Sequence, residues 1–370
     1  MHYCDEVTGR KFRISALLAT ISVVVIHTNY LENMREVPLA WWIGNVIGYL
    51  QRWAVPWFFI VSGFFFERAF NGNRISTNYL PFINRKKKAL LLPYIYWGVG
   101  YGFVAMTLLK VGVAIQNGDS NIWRQTIFHL WGQWGFLDSL VGVTHAPLIG
   151  ALWYVRVLLL VFFTAPIWIS LFRFSKWVGL VLAIFLVLYS PVSGIYQESF
   201  LLPGGIRFYF KLNSLGWIFM GMLFSIFKLE KYKVGMTLAL LALFFSCILC
   251  LLPLPWEFCR VHPPWWGEIL HRMHPLAVSV ALWGISDKIS VWLPEKLPWP
   301  SSICFWIYCM HHPMTGYIRA LGHVVMGRSI ISRFVMQSMG WLVVLLICVT
   351  VGLFIRKRFP RMYSALCGGR

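Results

Sequence analysis

The stretch VGMTLALLALFFSCILCLL, residues 234–252, contains no charged side chain. A helix that crosses a bilayer needs about 20 predominantly apolar residues, because each residue adds about 1.5 Å to its length. The stretch VMQSMGWLVVLLICVTVGLFI, residues 335–355, is of the same kind. These two segments predict helices long and apolar enough to span a membrane.

The rest of the chain has the same character. Its 370 residues are 58% hydrophobic and 12% charged, and the mean hydropathy is +0.66. A soluble domain is about half apolar and about a quarter charged. We therefore predict an all-α, polytopic membrane protein with about ten transmembrane helices. The apolar runs cover residues 14–30, 53–66, 89–109, 151–172, 177–192, 213–227, 234–252, 274–286, 302–320 and 335–355.

The basic residues predict the orientation of these helices. Residues 14–30 follow a basic flank and lack a small-residue cleavage site, which favours a retained first helix. If the N-terminus is cytoplasmic, most of the 33 Lys and Arg residues fall in cytoplasmic segments. The positive-inside rule then predicts that both termini lie inside the cell. The densest cytoplasmic cluster would be Arg85, Lys86, Lys87 and Lys88.

The formal net charge of +20 has the same explanation. A soluble protein with this charge would suggest a nucleic-acid partner, but here the cations fix topology and contact membrane lipids. The eight cysteines show no spacing typical of a zinc site, so no metal is expected. Because the sequence has neither an internal repeat nor a separate soluble domain, residues 1–370 are predicted to form a single membrane-embedded domain.

Five polar side chains fall within predicted spans or at their mouths: His27, Arg52, Arg156, His311 and His312. None of the thirteen acidic residues does so, and Glu67 is the nearest. Ionisable groups inside a membrane are costly, which makes each a functional candidate. The alternating topology places all five in the outer half of the bilayer. We therefore expect them to form one cluster.

Imidazole and guanidinium groups without carboxylates suit acyl transfer to a hydroxyl. A neutral imidazole takes the hydroxyl proton, and an arginine stabilises developing negative charge. Structural interpretations stay open beside this one. Arg52 is also consistent with a snorkelling side chain, His27 with an interfacial histidine, and Arg156 with a cation–π partner of Trp153. His312 precedes a proline and is also consistent with capping a helix kink.

Four segments occur in an order that is recognisable. They are RWAVPWFFIVSGFFF (52–66), NRKKKALLLPYIYW (84–97), LWYVRVLLL (152–160) and FWIYCMHHPM (305–314). Together they resemble the signature segments of the acyltransferase 3 family of bacterial membrane acyltransferases. Each segment alone is weakly specific, but the order, the spacing and the ten-helix outline agree over nearly the whole chain.

The resemblance implies a reaction and a location. Family members transfer an acyl group, usually acetyl, from acyl-coenzyme A to a hydroxyl of a cell-envelope or surface glycan or glycolipid. The enzyme would be a multi-pass protein of the bacterial cytoplasmic (inner) membrane, and a homo-oligomer is left open. By position, His27, Arg156 and His311 match the family's catalytic residues. The candidates for substrate binding are Arg52, Trp153, Tyr308 and His312.

The donor, acetyl-coenzyme A or another acyl-coenzyme A, would bind basic residues on the cytoplasmic side. The candidates are Arg13, Arg85, Lys86, Lys87 and Lys88. The family usually carries an arginine about eleven residues before its first-helix histidine, where this chain has Ala16. Arg13, one turn earlier, is the nearest arginine. Topology alone would also explain the basic loop.

Two other functions are compatible with the pattern. A transporter or flippase of a glycan or lipid fits the helix count, although intramembrane carboxylates and an inverted repeat are missing from the sequence. A family relative without catalytic activity would fit the change at Ala16.

Overall fold

The computed structural model describes residues 6–32, 34–70, 75–102, 149–188, 199–201, 207–209, 211–252, 254–259, 264–292, 302–327 and 329–369. These residues are helical apart from turns, short connections and one antiparallel ribbon. In the ribbon, strand β1 (Ser199–Leu201) pairs with strand β2 (Arg207–Tyr209). The helical prediction is confirmed.

The α-helices run in the following order: α1 Glu6–His27, α2 Pro38–Gln51, α3 Ala54–Arg68, α4 Ile75–Lys86, α5 Leu92–Ile95, α6 Trp153–Phe163, α7 Ala165–Phe174, α8 Lys176–Leu188, α9 Leu212–Ile226, α10 Met236–Leu251, α11 Leu254–Phe258, α12 Trp265–Trp292, α13 Ser302–Met326, α14 Ile330–Arg358 and α15 Pro360–Leu366. Lys87–Leu91 and Tyr96–Gly102 are π-helical, and Gly150–Leu152 and Leu229–Lys231 are 3-10 turns.

Apart from Thr164 and a few residues at their ends, the predicted apolar runs fall on helices wherever the structure describes them. Residues 103–109 and 189–192, which end two of those runs, lie outside the described residues. Helices α2 and α4 occupy stretches predicted as connections. Within the described ranges, two helices are long and apolar enough to cross a membrane: the one that begins at Met236 and α14.

The run 151–172 was predicted as one helix but is two. Helix α6 ends at Phe163 and α7 begins at Ala165, with a bend of 66° between them. Pro166 lies in the first turn of α7, where its ring is tolerated but cannot continue the hydrogen bonds of α6. The Thr164 hydroxyl donates to the Leu160 carbonyl oxygen at 2.9 Å and closes the last turn of α6. Taken together as one broken span, this pair would be a third membrane-crossing unit.

Glycines let α3 and α9 pack with their backbones in contact. A Cβ atom on Gly63 would collide with the carbonyl oxygen of Ile218, and one on Gly221 would collide with that of Ile60. Membrane helices use small residues in this way, because lipid-like surroundings leave packing as a main source of association energy.

Helices α1 and α3 run in opposite directions, which defines two ends of the molecule. The Phe12 ring contacts Phe64 near the end of α3, with centroids 4.9 Å apart. His27 lies fifteen residues beyond Phe12, or about 22 Å along a straight helix. We call the end with Lys11, Glu67 and Arg68 the charged end, and the opposite end the histidine end.

Candidate active site

Three imidazole rings meet at the histidine end. The centroid of the His27 ring lies 5.1 Å from that of His311 and 5.2 Å from that of His312. The two α13 rings are 6.3 Å apart. The structure thus brings together three of the five polar residues expected to cluster, from segments nearly 300 residues apart.

The chain after α1 holds His27 in place. Thr28 continues the helix with a hydroxyl that donates to the Val24 carbonyl oxygen at 2.9 Å. The buried Asn29 amide donates to the Gly44 carbonyl oxygen of α2 at 2.7 Å. The backbone N–H of Tyr30 donates to the side-chain oxygen of Gln337 in α14 at 2.8 Å. Bonds to two other helices therefore fix the position of this helix end.

His311 is fully buried, and its hydrogen bonding defines what the ring can do. Its Nδ1 lies 3.1 Å from the Ile307 carbonyl oxygen, one turn earlier in α13. Because a carbonyl only accepts, Nδ1 carries the hydrogen and Nε2 of the neutral ring is the acceptor. Nε2 is buried without a hydrogen-bond partner among the described residues. A buried polar atom of this kind calls for an explanation, and a reacting group that completes the site is one.

The 3-10 turn Gly150–Leu152 lies against the histidine cluster and forms one side of the site. A Cβ atom on Gly150 would lie 2.8 Å from Nε2 of His312, so a larger residue here would have to displace the His312 ring. The Tyr308 hydroxyl donates to the Ala151 carbonyl oxygen, which ties α13 to this turn. Helix α6 follows directly and carries Arg156, which is 5% exposed.

Trp153 and Tyr154 lie on the side of α6 that packs against α3. Trp153 contacts the Phe59 ring at 5.7 Å, and the Lys211 ammonium lies 4.4 Å from the Trp153 ring centroid. The Tyr154 hydroxyl donates to the Phe58 carbonyl oxygen at 3.1 Å. Trp153 is therefore placed by its packing against α3 and by the cation above its ring.

Arg52 has a different neighbourhood from the three histidines. Its guanidinium carbon lies 3.6 Å from the centroid of the Tyr49 ring, at the end of α2. Tyr49 in turn contacts the His271 ring of α12, with centroids 5.1 Å apart. Arg52 is exposed with its guanidinium over the Tyr49 ring, so the snorkelling interpretation and the role in substrate binding both stay predictions.

The basic residues predicted to bind the donor lie on exposed surfaces. Arg13 is exposed on α1, and Arg85 and Lys87 are exposed at the junction of α4 with the π-helical turn that follows. Lys88 is exposed in the same turn. Lys86 instead lies over two rings, 4.6 Å from the centroid of Phe162 and 5.3 Å from that of Phe82.

Sequence reasoning missed Gly150 and Gln337. Nothing in the sequence marks Gly150, because the need for a glycine arises only when the turn meets α13. Gln337 had a signal, since it is an amide in the otherwise apolar run 335–355. Although three imidazoles meet, the described part of the chain contains no group of three or more His, Cys, Asp or Glu side chains placed to hold a metal ion.

Comparison with known proteins identifies the family. The sequence profile of the acyltransferase domain matches residues 17–356, which includes every residue of the histidine cluster. The chain is similar to the succinoglycan biosynthesis protein ExoH of Rhizobium meliloti (strain 1021), with 21% identity over 317 residues, 84% of this chain and 79% of that protein. No solved structure matched the chain. The profile spans nearly the whole sequence, and the chain belongs to the acyltransferase 3 family.

Proposed function

We propose that this protein transfers an acyl group, acetyl in the first instance, from acyl-coenzyme A to a hydroxyl of a cell-envelope or surface glycan or glycolipid. It would do so as a multi-pass protein of the bacterial cytoplasmic membrane, with about ten spans and both termini inside. The observation that carries the proposal is the meeting of the His27, His311 and His312 rings. The name of the similar protein, which concerns succinoglycan biosynthesis, supports a polysaccharide acceptor.

His27 is the general base in this proposal. Its free ring nitrogen takes the proton of the acceptor hydroxyl as the oxygen attacks the thioester carbonyl carbon. A carbon–oxygen bond forms and the carbon–sulfur bond breaks. The coenzyme A thiolate leaves and recovers the proton from the imidazolium, so that the ring ends neutral. His27 fits this role because it is partly exposed, whereas His311 is fully buried.

His311 and Arg156 assist in different ways. The unpartnered Nε2 of His311 accepts a hydrogen bond from His27 or from the acceptor hydroxyl. The buried guanidinium of Arg156 stabilises the negative charge on the thioester oxygen, an effect that is strongest where water is excluded. His312 lies against the Gly150 turn and would orient the substrate together with Tyr308, Trp153 and Arg52.

The donor would approach from the charged end. The phosphates of acyl-coenzyme A carry charge that Lys and Arg side chains bind well, and Arg85, Lys87, Lys88 and Arg13 are exposed. Lys86, whose ammonium lies over the Phe82 and Phe162 rings, would bind the same phosphates. The acceptor would enter at the histidine end.

The test is incorporation of radiolabelled acetyl from acetyl-coenzyme A into membrane glycan. Membranes with the wild-type protein, His27→Ala and His323→Ala are compared at equal expression. His323 lies on the same helix as His311 but beyond the cluster, which makes it a matched control. We expect label with the wild type and with His323→Ala, and loss of label with His27→Ala.

Two outcomes would count against the proposal. Normal incorporation by His27→Ala would remove this residue from the chemistry. If no donor among several acyl-coenzyme A thioesters gave label with folded wild-type protein, the acyl-transfer activity itself would be rejected.

A further inference from the structure

A cavity of about 470 Å³ lies at the charged end, remote from the three histidines. It is bounded by the ends of α3, α7 and α9 and the start of α8. The residues used below that line it are Glu67, Phe70, Arg173, Phe174, Lys176 and Trp177. The proposed acyl transfer makes no use of this cavity, so its chemistry needs a separate explanation.

The cavity wall carries two cations and one carboxylate. Arg173 is held by a hydrogen bond from its Nη2 to the Phe70 carbonyl oxygen at 2.7 Å. Lys176 is exposed, with its ammonium 5.2 Å from the centroid of the Phe227 ring. The Glu67 carboxylate accepts a hydrogen bond from the Ser225 hydroxyl. A ligand with an anionic group next to a cationic group would match this lining.

An exposed apolar stripe begins at the same place. Trp177, Val181, Ile184 and Phe185 are 60%, 69%, 42% and 57% exposed. Their spacing puts them on one face of α8. Phe174, at the end of α7, is 85% exposed. Aromatic side chains favour the membrane–water interface, and an exposed apolar helix face in a membrane protein contacts acyl chains. The charged cavity thus adjoins a surface suited to hydrocarbon.

We propose that this cavity binds a phospholipid whose headgroup carries both a phosphodiester and a primary amine, as in phosphatidylethanolamine. The phosphate would interact with Arg173 and Lys176, since guanidinium and ammonium groups bind phosphate oxygens. The ammonium would donate hydrogen bonds to Glu67. The acyl chains would lie along the stripe on α8. Basic pockets between membrane helices are known to receive lipid headgroups.

The carboxylate distinguishes this lipid from others. Phosphatidylglycerol has the phosphate but no amine. Its neutral glycerol headgroup would leave the Glu67 carboxylate close to the lipid phosphate without a cation from the lipid between them. Phosphatidylcholine has a quaternary ammonium that carries no N–H and cannot donate to Glu67. The lining therefore predicts preference for the amine lipid over both.

The experiment measures phospholipid retained by the purified full chain. The protein is exchanged into detergent with equimolar phosphatidylethanolamine, phosphatidylglycerol and phosphatidylcholine, and bound lipid is identified by native mass spectrometry. We expect phosphatidylethanolamine to be retained in several-fold excess over each of the other two lipids. Lys176→Gln should lower its retention about fivefold, as expected for one cation at a membrane surface. Lys233→Gln, a change at another exposed lysine outside the cavity, should leave retention unchanged.

A second variant tests the amine. Glu67→Gln should abolish the preference for phosphatidylethanolamine over phosphatidylcholine while phosphate-dependent retention persists. Because Glu67 is hydrogen-bonded to Ser225, the folding of Glu67→Gln is checked by size-exclusion chromatography. If Glu67→Gln fails to fold, the Lys176→Gln variant still decides the test, because Lys176 is exposed.

Three results would overturn the proposal: equal retention of the three lipids, equal behaviour of Lys176→Gln and Lys233→Gln, or displacement of the lipid by excess coenzyme A. The last would assign the cavity to the acyl donor. Lipid retention is measured without acyl transfer, so its outcome is independent of the proposed function.

Discussion

The two ends of the molecule place their polar groups in opposite ways. At the charged end, cations pair with carboxylates from other segments, as Lys11 does with Asp287 and Arg68 with Glu230. At the histidine end, three imidazoles lie together, and Nε2 of His311 has no hydrogen-bond partner within the described structure.

This difference separates polar groups that stabilise the fold from polar groups that are available for a reaction. An ion pair compensates the charges of both partners, and breaking a buried one is costly because one charge is left uncompensated. Rings that gather without such pairing contribute little to stability, but they leave atoms available for a substrate. Changes at the three histidines should therefore alter activity, and changes at the ion pairs of the charged end should alter folding.

The largest effect is expected for the two central histidines. His27→Ala and His311→Ala should each lower acyl transfer by roughly a hundredfold to ten-thousandfold, the range for loss of general acid–base catalysis. Residues that act as one unit are non-additive, so the double variant should be no worse than the poorer single variant. Initial rates with saturating acetyl-coenzyme A measure this. Multiplicative losses in the double variant would mean that the two rings act independently.

The second prediction concerns the charged end. Lys11→Met should lower the free energy of unfolding by about 1–3 kcal/mol, because it leaves the partly exposed Asp287 carboxylate without its partner. Lys11 is 4% exposed and its ammonium also lies 4.3 Å from the Trp283 ring centroid. Denaturation in detergent measures the loss, with Lys233→Met at an exposed site as the control. If Lys11→Met lost activity at unchanged stability, the distinction between the two ends would fail.

The third prediction returns to the histidine end. Gly150→Ala should lower the rate of acyl transfer about tenfold, since the added Cβ atom must displace the His312 ring and small misplacements near reacting groups are costly. The thermal stability of Gly150→Ala should change little, because the added Cβ atom meets the tip of the His312 side chain, which can move aside, and not a backbone atom. Gly235→Ala, where an added Cβ atom meets nothing within 4 Å, is the matched control. Equal rates for both variants would show that the position of His312 is unimportant.

The smallest effect is expected at Tyr308. Tyr308→Phe removes the hydrogen bond to the Ala151 carbonyl oxygen and should cost about 0.5–1.5 kcal/mol of stability. Tyr79→Phe removes an exposed hydrogen bond to the Phe163 carbonyl oxygen and should cost less. Melting temperatures of the two variants give the comparison. A raised Michaelis constant for the acceptor would support the proposed contact of Tyr308 with substrate, and unchanged stability of Tyr308→Phe would contradict the structural role of its hydroxyl.

The sequence by itself determined the helical architecture and the family. Long, mostly apolar runs such as residues 335–355 leave little alternative to helices, because backbone groups in lipid must be satisfied within the segment. The residues that break this apolar pattern, among them His27 and His311, were visible for the same reason. The bend at Thr164 could have been read from Pro166, but the apolar pattern on both sides concealed it.

Only the tertiary structure decided which of these polar residues meet. A sequence gives the depth of a residue along its helix but not the rotation of that helix toward its neighbours. His27, His311 and His312 came together, whereas Arg52, predicted at the same depth, stacks on Tyr49. The pairing of Lys11 with Asp287 and the need for glycine at position 150 also depend on contacts between segments distant in the chain. Such contacts are fixed by helix packing, which no single segment of the sequence specifies.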